Sequence, residues 1–461
     1  MHRSVRGAAW VAALAALWAY ALTLSPTVAW VNLGEDSGDL LVASATLGIP
    51  HPTGYPLFVL LGRVASLLPL GAIAFRINLI AAIAGAASVY FLVRLAYSLT
   101  PPESRGLGAL LSAGACALLY ASSRGAWSQS VLAEVYTLNA AFLGAILWLL
   151  VKAEEKRDVR FLLLASYLFG LGLTNHLLLL AASPALLVGI WRFSRTNRIG
   201  LWTAVLLPLL AFWGLTLDLF LPVRAAQDPE FSWGTPVTPE RLWWVLSGAQ
   251  YGRNFFARGL PGILNHLVPG RWGVDFGWGL VLLGTGLLLA LIRRDGRAAS
   301  GWAAFLASLV LLSVYAIGDD VGYWMPAAWI AAALAGSGWA SLWNAPRWRP
   351  VELETGRCVR GPHTLPLRPA QPFGRGTERA RRERVRRPHV RALVLQGDRL
   401  QEEPPRSRRG VQISAGLAVV PAPPGPVLSH PCCSRLSWGS GCHDESSDRA
   451  QYPQAARLPH A

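Results

Sequence analysis

Long apolar stretches, separated by short and mostly basic polar segments, make up the first part of the chain. A membrane-spanning helix needs about 20 predominantly apolar residues, and a run of this kind extends from Ala8 to Trp30. Further apolar runs follow at 76–98, 107–122, 130–151, 161–174, 176–191, 200–221, 277–292, 300–317 and 323–343. The pattern predicts an all-α polytopic membrane protein with about ten transmembrane helices, although 161–191 is short for two crossings.

Two intervals between the apolar runs are long enough to hold structure of their own. Residues 31–75 contain the apolar stretch from Pro56 to Pro69, which is too short for a span and predicts an interfacial or re-entrant helix. Residues 222–275 are rich in Trp, Gly and Pro and predict an ordered loop with aromatic residues at the membrane surface. Both intervals follow an odd-numbered span, so we expect them on the same side of the membrane.

Basic residues in the short loops predict the orientation of the spans, because cytoplasmic loops carry an excess of Lys and Arg. With Arg3 and Arg6 placed in the cytoplasm, the inside loops hold 16 basic residues and the outside loops hold 8. We therefore expect a multi-pass protein of the cell membrane whose N-terminus and C-terminal tail are cytoplasmic. The intervals 31–75 and 222–275 become extracytoplasmic outer loops.

The composition changes near residue 345. The whole chain is 53% hydrophobic and only 15% charged, whereas soluble proteins carry about 25% charged residues. Residues 351–461 hold 18 Arg and no Lys, and such a segment buries too little apolar surface to fold. The sequence predicts a transmembrane domain at 1–345 and an Arg/Pro-rich low-complexity tail at 346–461. The tail is either disordered or a reading-frame artefact, and contact with anionic lipid is its functional alternative.

Charge and cysteine content argue against two further classes of protein. The net charge is +16, but the basic residues form no continuous face with stacking aromatic residues, so we expect no nucleic-acid partner. Cys432, Cys433 and Cys442 lie close together without the usual spacing of zinc ligands. We therefore predict no structural metal site.

Polar residues at the ends of the apolar runs gather on the predicted outer side of the membrane. Charged groups near membrane depth are costly and mark functional sites by default. These outer polar residues are Glu35, Asp36, Asp39, Arg124, Glu134, Asn175, His176, Arg224, Asp228, Asp319 and Asp320. Their convergence predicts one functional site at the outer face.

The acidic residues Glu35, Asp36 and Asp39 place three carboxylates within five positions, just past the first span. Such a group can hold a cation or act as a general base. The alternative is a solvated acidic loop or the N-terminus of the next helix.

Four other outer residues each have a functional and a structural interpretation. His51, between two prolines, could contact a phosphate or a metal or carry a proton, or it could lie in a simple turn. Glu134 needs a partner at membrane depth or is an acid favoured by a helix dipole. His176 is a ligand or a satisfied packing residue, and Arg224 binds a phosphate or faces lipid headgroups.

Several of these residues belong to longer motifs. They are Asp36-Ser37-Gly38-Asp39-Leu40, then Leu47-Gly48-Ile49-Pro50-His51-Pro52-Thr53-Gly54-Tyr55-Pro56-Leu57-Phe58, and the shorter stretches 61–63, 76–78, 129–136, 170–176, 221–225 and 231–234. In this order they resemble a bacterial membrane family that is related to the eukaryotic transmembrane protein O-mannosyltransferase. The resemblance covers roughly residues 8–345.

That resemblance implies a fold of the GT-C class of glycosyltransferases, which use lipid-phosphate sugars. It implies Asp36 as the catalytic base with Asp39 beside it, although the family often has Glu at the position of Asp39. The implied partners are a polyprenyl-phosphate sugar, with mannose as the candidate sugar, a protein or glycan acceptor, and the bilayer. No cofactor is certain, and a divalent cation is possible. The implied donor-binding residues are Glu35, His51, Tyr55, Arg63, Arg76, Glu134, Tyr136, Asn175, His176 and Arg224.

A transporter or a non-catalytic lipid-binding protein is the alternative, since it too would collect polar groups in a cavity. Transporters usually show paired repeats with broken helices near the midplane of the membrane. The sequence shows no such repeat, so it favours the enzyme.

Overall fold

A computed structural model describes residues 2–29, 35–257, 259, 261–263, 270–317 and 320–344, without the side chains of residues 2, 35, 270, 271 and 344. The tail predicted at 346–461 lies outside these described residues. Its predicted disorder and the domain boundary at residue 345 therefore stay predictions, and so does any role for the Glu35 side chain.

The described part of the chain is helical, with isolated β-bridges between Ile49 and Ser232 and between Phe255 and Tyr315. The first helices are α1 His2–Leu22, α2 Glu35–Thr46, α3 Pro56–Ser66, α4 Ile73–Leu99, α5 Leu107–Ala121, α6 Arg124–Ser130, α7 Tyr136–Lys156 and α8 Arg160–Leu173. They are followed by α9 Ser183–Thr196, α10 Leu201–Leu215, α11 Phe220–Ala225, α12 Pro239–Leu246, α13 Gly270–Phe276, α14 Gly279–Arg293, α15 Ala299–Val314 and α16 Val321–Ala340. Short 3₁₀ helices lie at Pro102–Ser104, Leu177–Ala182, Thr216–Leu219, Ala249–Asn254, Gly296–Ala298 and Ser341–Asn344.

Each of the ten predicted apolar runs coincides with a helix, which confirms the all-α membrane fold. Among the described residues, six segments are long and apolar enough to cross a membrane: Arg3–Leu22, Ile73–Leu99, Tyr136–Lys156, Leu177–Thr196, Leu201–Ala225 and Gly296–Val314. The runs that match α5, α8 and α14 form shorter apolar helices. In the doubtful interval 161–191, the second half is long enough for a crossing and the first half is not. The number of spans near ten stays a prediction.

Small residues bring the helices of the bundle together. Trp329 of α16 is fully buried, and its ring lies over Gly144 of α7, where any side chain would collide with it. Its indole N–H donates to the Ser88 carbonyl of α4 at 3.2 Å. In α8, Gly170 touches the Ala211 carbonyl of α10. Close backbone approach replaces the hydrophobic effect as the packing force between helices surrounded by lipid.

Helix α7 connects a charged end of the bundle with the end that carries the predicted site. It has 21 residues and is therefore about 30 Å long. Near its C-terminus Glu154 accepts from Arg192 at 2.7 and 3.0 Å, and Glu155 accepts from Lys152 at 2.5 Å. Arg192 and Lys152 at this end are thus paired with acids, and Tyr136 begins the helix at the opposite end.

The intervals 31–75 and 222–275 pack against each other. Ile49 lies in a small apolar cluster with Leu221, Ala225 and Val245. The Ile49 N–H donates to the Phe231 carbonyl at 2.8 Å, which fastens the first interval to the second. Helix α3 occupies the stretch predicted as an interfacial or re-entrant helix, and its location at the membrane surface stays a prediction.

We expect Gly170→Ala to destabilise the protein by about 1–3 kcal/mol, the usual cost of overpacking. The new Cβ would lie 1.8 Å from the Ala211 carbonyl oxygen and would force α8 and α10 apart. Thermal unfolding in detergent measures the change. Gly114→Ala in α5 is the control, because no atom lies within 4 Å of its added Cβ. Equal melting temperatures for both variants would contradict the close contact.

Candidate active site

Helix α2 presents the predicted catalytic acids. Asp36 and Asp39 are three residues apart and therefore share one face of the helix. Both lie in its first turns, where the helix dipole favours negative charge, so the structural interpretation of these acids also applies. Their environments differ, however. The Asp36 side chain is 51% exposed, whereas that of Asp39 is only 11% exposed.

His51 bridges the two aspartates. Its backbone N–H donates to Asp39 Oδ2 at 2.8 Å, and its ring Nδ1 contacts the same oxygen. The opposite ring nitrogen, Nε2, lies 2.9 Å from the Tyr55 hydroxyl and 3.7 Å from Asp36 Oδ1. A carboxylate only accepts hydrogen bonds, so these partners assign the proton of a neutral His51 ring to Nδ1 and leave Nε2 as the acceptor.

Tyr55 fixes the other side of His51. The residue adopts a left-handed backbone conformation, with φ of 42°, directly before α3. Its hydroxyl lies within hydrogen-bond distance of both His51 Nε2 and the Pro52 carbonyl, the latter at 3.1 Å. Burial raises the pKa of Tyr55 well above its ordinary value. The phenol therefore stays protonated and available as a hydrogen-bond donor.

His176 lies between α8 and the next helical segment, in a buried position. The Leu178 N–H donates to its Nδ1 at 3.0 Å, so the ring proton is on Nε2. Burial, aided by the nearby His51, lowers the pKa of His176 to about 3. His176 is thus a neutral donor over the physiological pH range. Its neighbour Asn175 is occupied in packing, because its amide donates to the Val135 carbonyl at 3.0 Å.

Asp36, His51, Tyr55 and His176 line a cavity of about 540 Å³. Six residues predicted from the sequence contribute to it: Asp36, His51, Tyr55, Glu134, Tyr136 and His176. Its apolar part is formed by Leu177, Leu178, Leu180, Phe255, Leu311 and Ile317. A volume of this order, with polar groups converging beside apolar side chains, is typical of small-molecule sites.

Three tyrosines of the cavity are absent from the prediction. Tyr251, Tyr315 and Tyr323 all contribute to its wall. Tyr315 and Tyr323 flank the acidic pair at 319–320, which the sequence analysis does identify as polar. A search for tyrosines at the ends of apolar runs would have found them, whereas Tyr251 lies in a loop without such a signal.

The structure places the predicted donor-binding arginines outside the cavity wall. Arg63 donates to the Ala45 carbonyl at 2.5 Å, and Arg76 donates to the carbonyls of Ser66 and Gly71 at 2.6 and 2.7 Å. Within the described part of the chain, the cavity lining contains no Arg or Lys. These arginines satisfy backbone acceptors at helix ends, and their role in donor binding stays a prediction.

Arg224 holds the segment that carries His51. Its guanidinium donates to the Leu47 carbonyl at 2.6 Å and to the Gln227 side chain at 2.8 Å. Leu47 ends helix α2 in a left-handed conformation with φ of 55°. Arg224 therefore stabilises the turn between Asp39 and His51, and its role in donor binding stays a prediction.

A metal site of three or more His, Cys, Asp or Glu side chains is not found among the residues that the structure describes. Asp36 and Glu134 are the acidic residues of the cavity lining. The possible divalent cation stays a prediction.

The fold and the site define a helical membrane protein with an acidic, tyrosine-lined cavity where α7 begins. Residues 36–198 match the family model described as the Protein O-mannosyl-transferase TMEM260 N-terminal domain. This match confirms the resemblance expected from the motifs. It spans α2 to the C-terminus of α9, and so includes Asp36, Asp39, His51, Tyr55 and His176.

Two curated relatives carry the same family name. The Mus musculus Protein O-mannosyl-transferase TMEM260 is 28% identical over 338 residues, covering 67% of this chain and 46% of that protein. The Dictyostelium discoideum protein of that name is 25% identical over 325 residues, covering 65% and 38%. The chain thus spans less than half the length of these relatives. Both are eukaryotic, and membership of a bacterial branch stays a prediction.

Among solved structures, the arabinosyltransferase EmbB from Mycobacterium smegmatis resembles the chain with a TM-score of 0.46 at 17% identity. The alignment covers 73% of this chain and 30% of EmbB.

We expect Arg224→Ala to loosen the turn after α2. Hydrogen bonds from a charged group contribute about 1.5–3 kcal/mol each, so amide exchange across residues 46–56 becomes at least roughly tenfold faster. Hydrogen–deuterium exchange with mass spectrometry measures this rate. The control is Arg241→Ala, which removes an exposed side chain of α12 in the same interval. Unchanged amide exchange in the Arg224 variant would show that the turn is stable without the Arg224 hydrogen bonds.

Proposed function

We propose that this protein is an integral membrane glycosyltransferase. It transfers a hexose, which we take to be mannose, from a polyprenyl-phosphate donor to an acceptor hydroxyl at the extracytoplasmic face. The observation that carries the proposal is the half-exposed Asp36 carboxylate in the cavity beside the anchored His51. The names of the curated relatives support the sugar and the reaction.

The reaction needs a base at the cavity, and Asp36 has the exposure for that role. The acceptor hydroxyl loses its proton to the Asp36 carboxylate while its oxygen forms a bond to the anomeric carbon. The bond from that carbon to the phosphate oxygen breaks, and the polyprenyl phosphate leaves with the electron pair. A single displacement of this kind inverts the anomeric configuration.

Asp39 orients His51, and His51 lies next to the Asp36 base. Asp39 does not line the cavity and acts on His51, so we propose it as a positioning residue rather than as a second base. With the ring proton on Nδ1, His51 Nε2 can accept the proton that Asp36 has taken, across their separation of 3.7 Å. This relay restores the Asp36 carboxylate, and His51 then releases the proton to water before the next turnover.

The apolar part of the cavity suits the hydrocarbon of the donor. Leu178, Leu180 and Leu311 line it, and Leu180 is 43% exposed. The leaving phosphate needs hydrogen-bond donors or a cation. Tyr251 lines the cavity and stays protonated because burial raises its pKa to about 12, so its hydroxyl can donate a hydrogen bond to the phosphate.

We expect Asp36→Asn to lower transfer by at least roughly 100-fold, because a positioned general base contributes about 10²–10⁴-fold to a rate. The assay uses purified protein with labelled polyprenyl-phosphate mannose and measures release of the lipid phosphate and labelling of the acceptor. The control is Asp228→Asn, an exposed loop residue with φ of 49° that Asn also tolerates.

Retained activity in the Asp36 variant would remove the proposed base. A wild-type protein that binds the donor but never releases lipid phosphate, with any acceptor tested, would favour the transporter or lipid-binding alternative.

We expect Asp39→Asn to lower kcat by about 10²-fold or more with little change in KM, as for a residue that orients a catalytic histidine. An Asn at this position can turn its amide N–H₂ toward the His51 ring and so reverse the ring tautomer. Steady-state kinetics with the same donor separates kcat from KM. An increase confined to KM would place Asp39 in donor binding instead.

A further inference from the structure

The cavity has a continuous wall of aromatic rings. We call it the aromatic wall and define it by Tyr55, Tyr136, His176, Tyr315 and Tyr323. The Tyr55 ring stacks on His176 with centroids 5.7 Å apart and planes 2° apart. His176 lies 5.1 Å from Tyr136 and 5.8 Å from Tyr323, and Tyr323 stacks on Tyr315 at 5.2 Å. Ring centroids 4.5–7 Å apart in offset or edge contacts are favourable aromatic pairs.

The wall depends on a glycine in the helix behind it. Gly322, next to Tyr323 in α16, faces Tyr136 so closely that a Cβ would lie 2.3 Å from the tyrosine ring. Only a residue without a side chain lets Tyr136 lie against the start of α16. The aromatic wall is therefore a defined arrangement of α7, α16 and the segment between α8 and α9.

The polar atoms of the wall are neutral. His176 has its proton on Nε2, and its pKa of about 3 keeps it uncharged. The tyrosines offer hydroxyls, which donate and accept. Asp36 and Glu134 border the wall with acceptor oxygens. A wall of aromatic faces and neutral donors, with acceptors at its edge, is complementary to a ring that carries both C–H faces and hydroxyls.

We propose that the aromatic wall is the subsite for a hexopyranose ring, and this inference rests on the proposed sugar transfer. The apolar face of the pyranose stacks on Tyr323 and Tyr136, and its hydroxyls bond to tyrosine hydroxyls, to His176 Nε2–H and to the Asp36 carboxylate. Such an orientation brings the anomeric carbon toward the acid on α2. A phosphate is a poorer occupant, because among the described residues the cavity lining has no Arg or Lys.

The test measures binding in the Asp36→Asn background and without an acceptor, so that transfer is at least roughly 100-fold slower. Two lipids are compared, polyprenyl phosphate and polyprenyl-phosphate mannose, and the ratio of their Kd values isolates the contribution of the sugar. Tyr323→Phe removes one hydroxyl, so we expect the ratio to fall by roughly 2–10-fold. Tyr323→Leu removes the ring as well, and we expect a larger loss. In both variants the Kd of polyprenyl phosphate, which lacks the sugar, stays unchanged.

Tyr90→Leu is the matched control. Its ring packs on Trp10 at 4.8 Å and is not part of the cavity lining, so the ratio stays at the background value. If Tyr323→Leu does not fold, as judged by size-exclusion elution and melting temperature, the isosteric Tyr323→Phe and Tyr136→Phe decide. A ratio unchanged in both Phe variants would overturn the aromatic wall as the subsite of the donor sugar.

A second arm identifies the source of the sugar. Methyl α-mannopyranoside is titrated with polyprenyl-phosphate mannose already bound, as a probe for a glycan acceptor. Tyr323-dependent binding of this probe, with an unchanged lipid ratio, assigns the wall to the acceptor sugar. Tyr323-dependent lipid ratios assign it to the donor. If neither ligand depends on Tyr323, the subsite is overturned.

The outcomes for the subsite and for the proposed function are separate. Failure of both lipids to bind would remove the donor class, while the mannoside arm would still test the wall. An aromatic wall beside carboxylates can also hold a quaternary ammonium ion. Tight, Tyr323-dependent binding of tetramethylammonium without any effect of the mannose group would assign the wall to a cation and overturn the sugar.

Discussion

Asp39 is almost withdrawn from water, and a buried carboxylate is costly unless hydrogen bonds replace its hydration. His51 provides this replacement at Asp39 Oδ2 through its backbone N–H and its ring. The same contact sets the position of the ring, the assignment of its proton and the distance from Nε2 to Asp36. The positions of His51 and Asp36 in the cavity thus depend on the Asp39 carboxylate, which does not line the cavity.

Holding that contact requires a rigid turn between α2 and α3, and the turn is stabilised from a distant part of the chain. The Leu47 carbonyl accepts from Arg224, and Gly48 lies against Phe231 so closely that a Cβ would be 2.6 Å from its carbonyl oxygen. The prolines on either side of His51 restrict the remaining freedom. The intervals 31–75 and 222–275 therefore together hold the acids of α2 in place, and Ile49 is an apolar residue at which they meet.

Sequence patterns predicted the helices well because each apolar run reflects the local requirement for burial in lipid. They also located Asp36, His51, Tyr55, Glu134, Tyr136 and His176, because these residues lie in specific motifs. Patterns could not separate Asp36 from Asp39, since exposure depends on how α2 packs. Nor could they show that Arg63 and Arg224 satisfy backbone carbonyls, because an interfacial arginine looks the same in either role. Tyr251 and Tyr323 join the cavity only through tertiary packing of segments far apart in the chain.

The bond between Arg224 and the Leu47 carbonyl joins residues that are 177 positions apart. During synthesis, α2 and the His51 turn emerge long before Arg224 and Phe231 exist to hold them. While the segments up to α11 are being inserted, the acids of α2 therefore lack the hydrogen bond from Arg224 that later holds their turn. Assembly of the cavity is consequently a late event in biogenesis, completed only when α16 delivers Tyr323. A ribosome paused before α11 would carry helices whose site geometry has not yet been set.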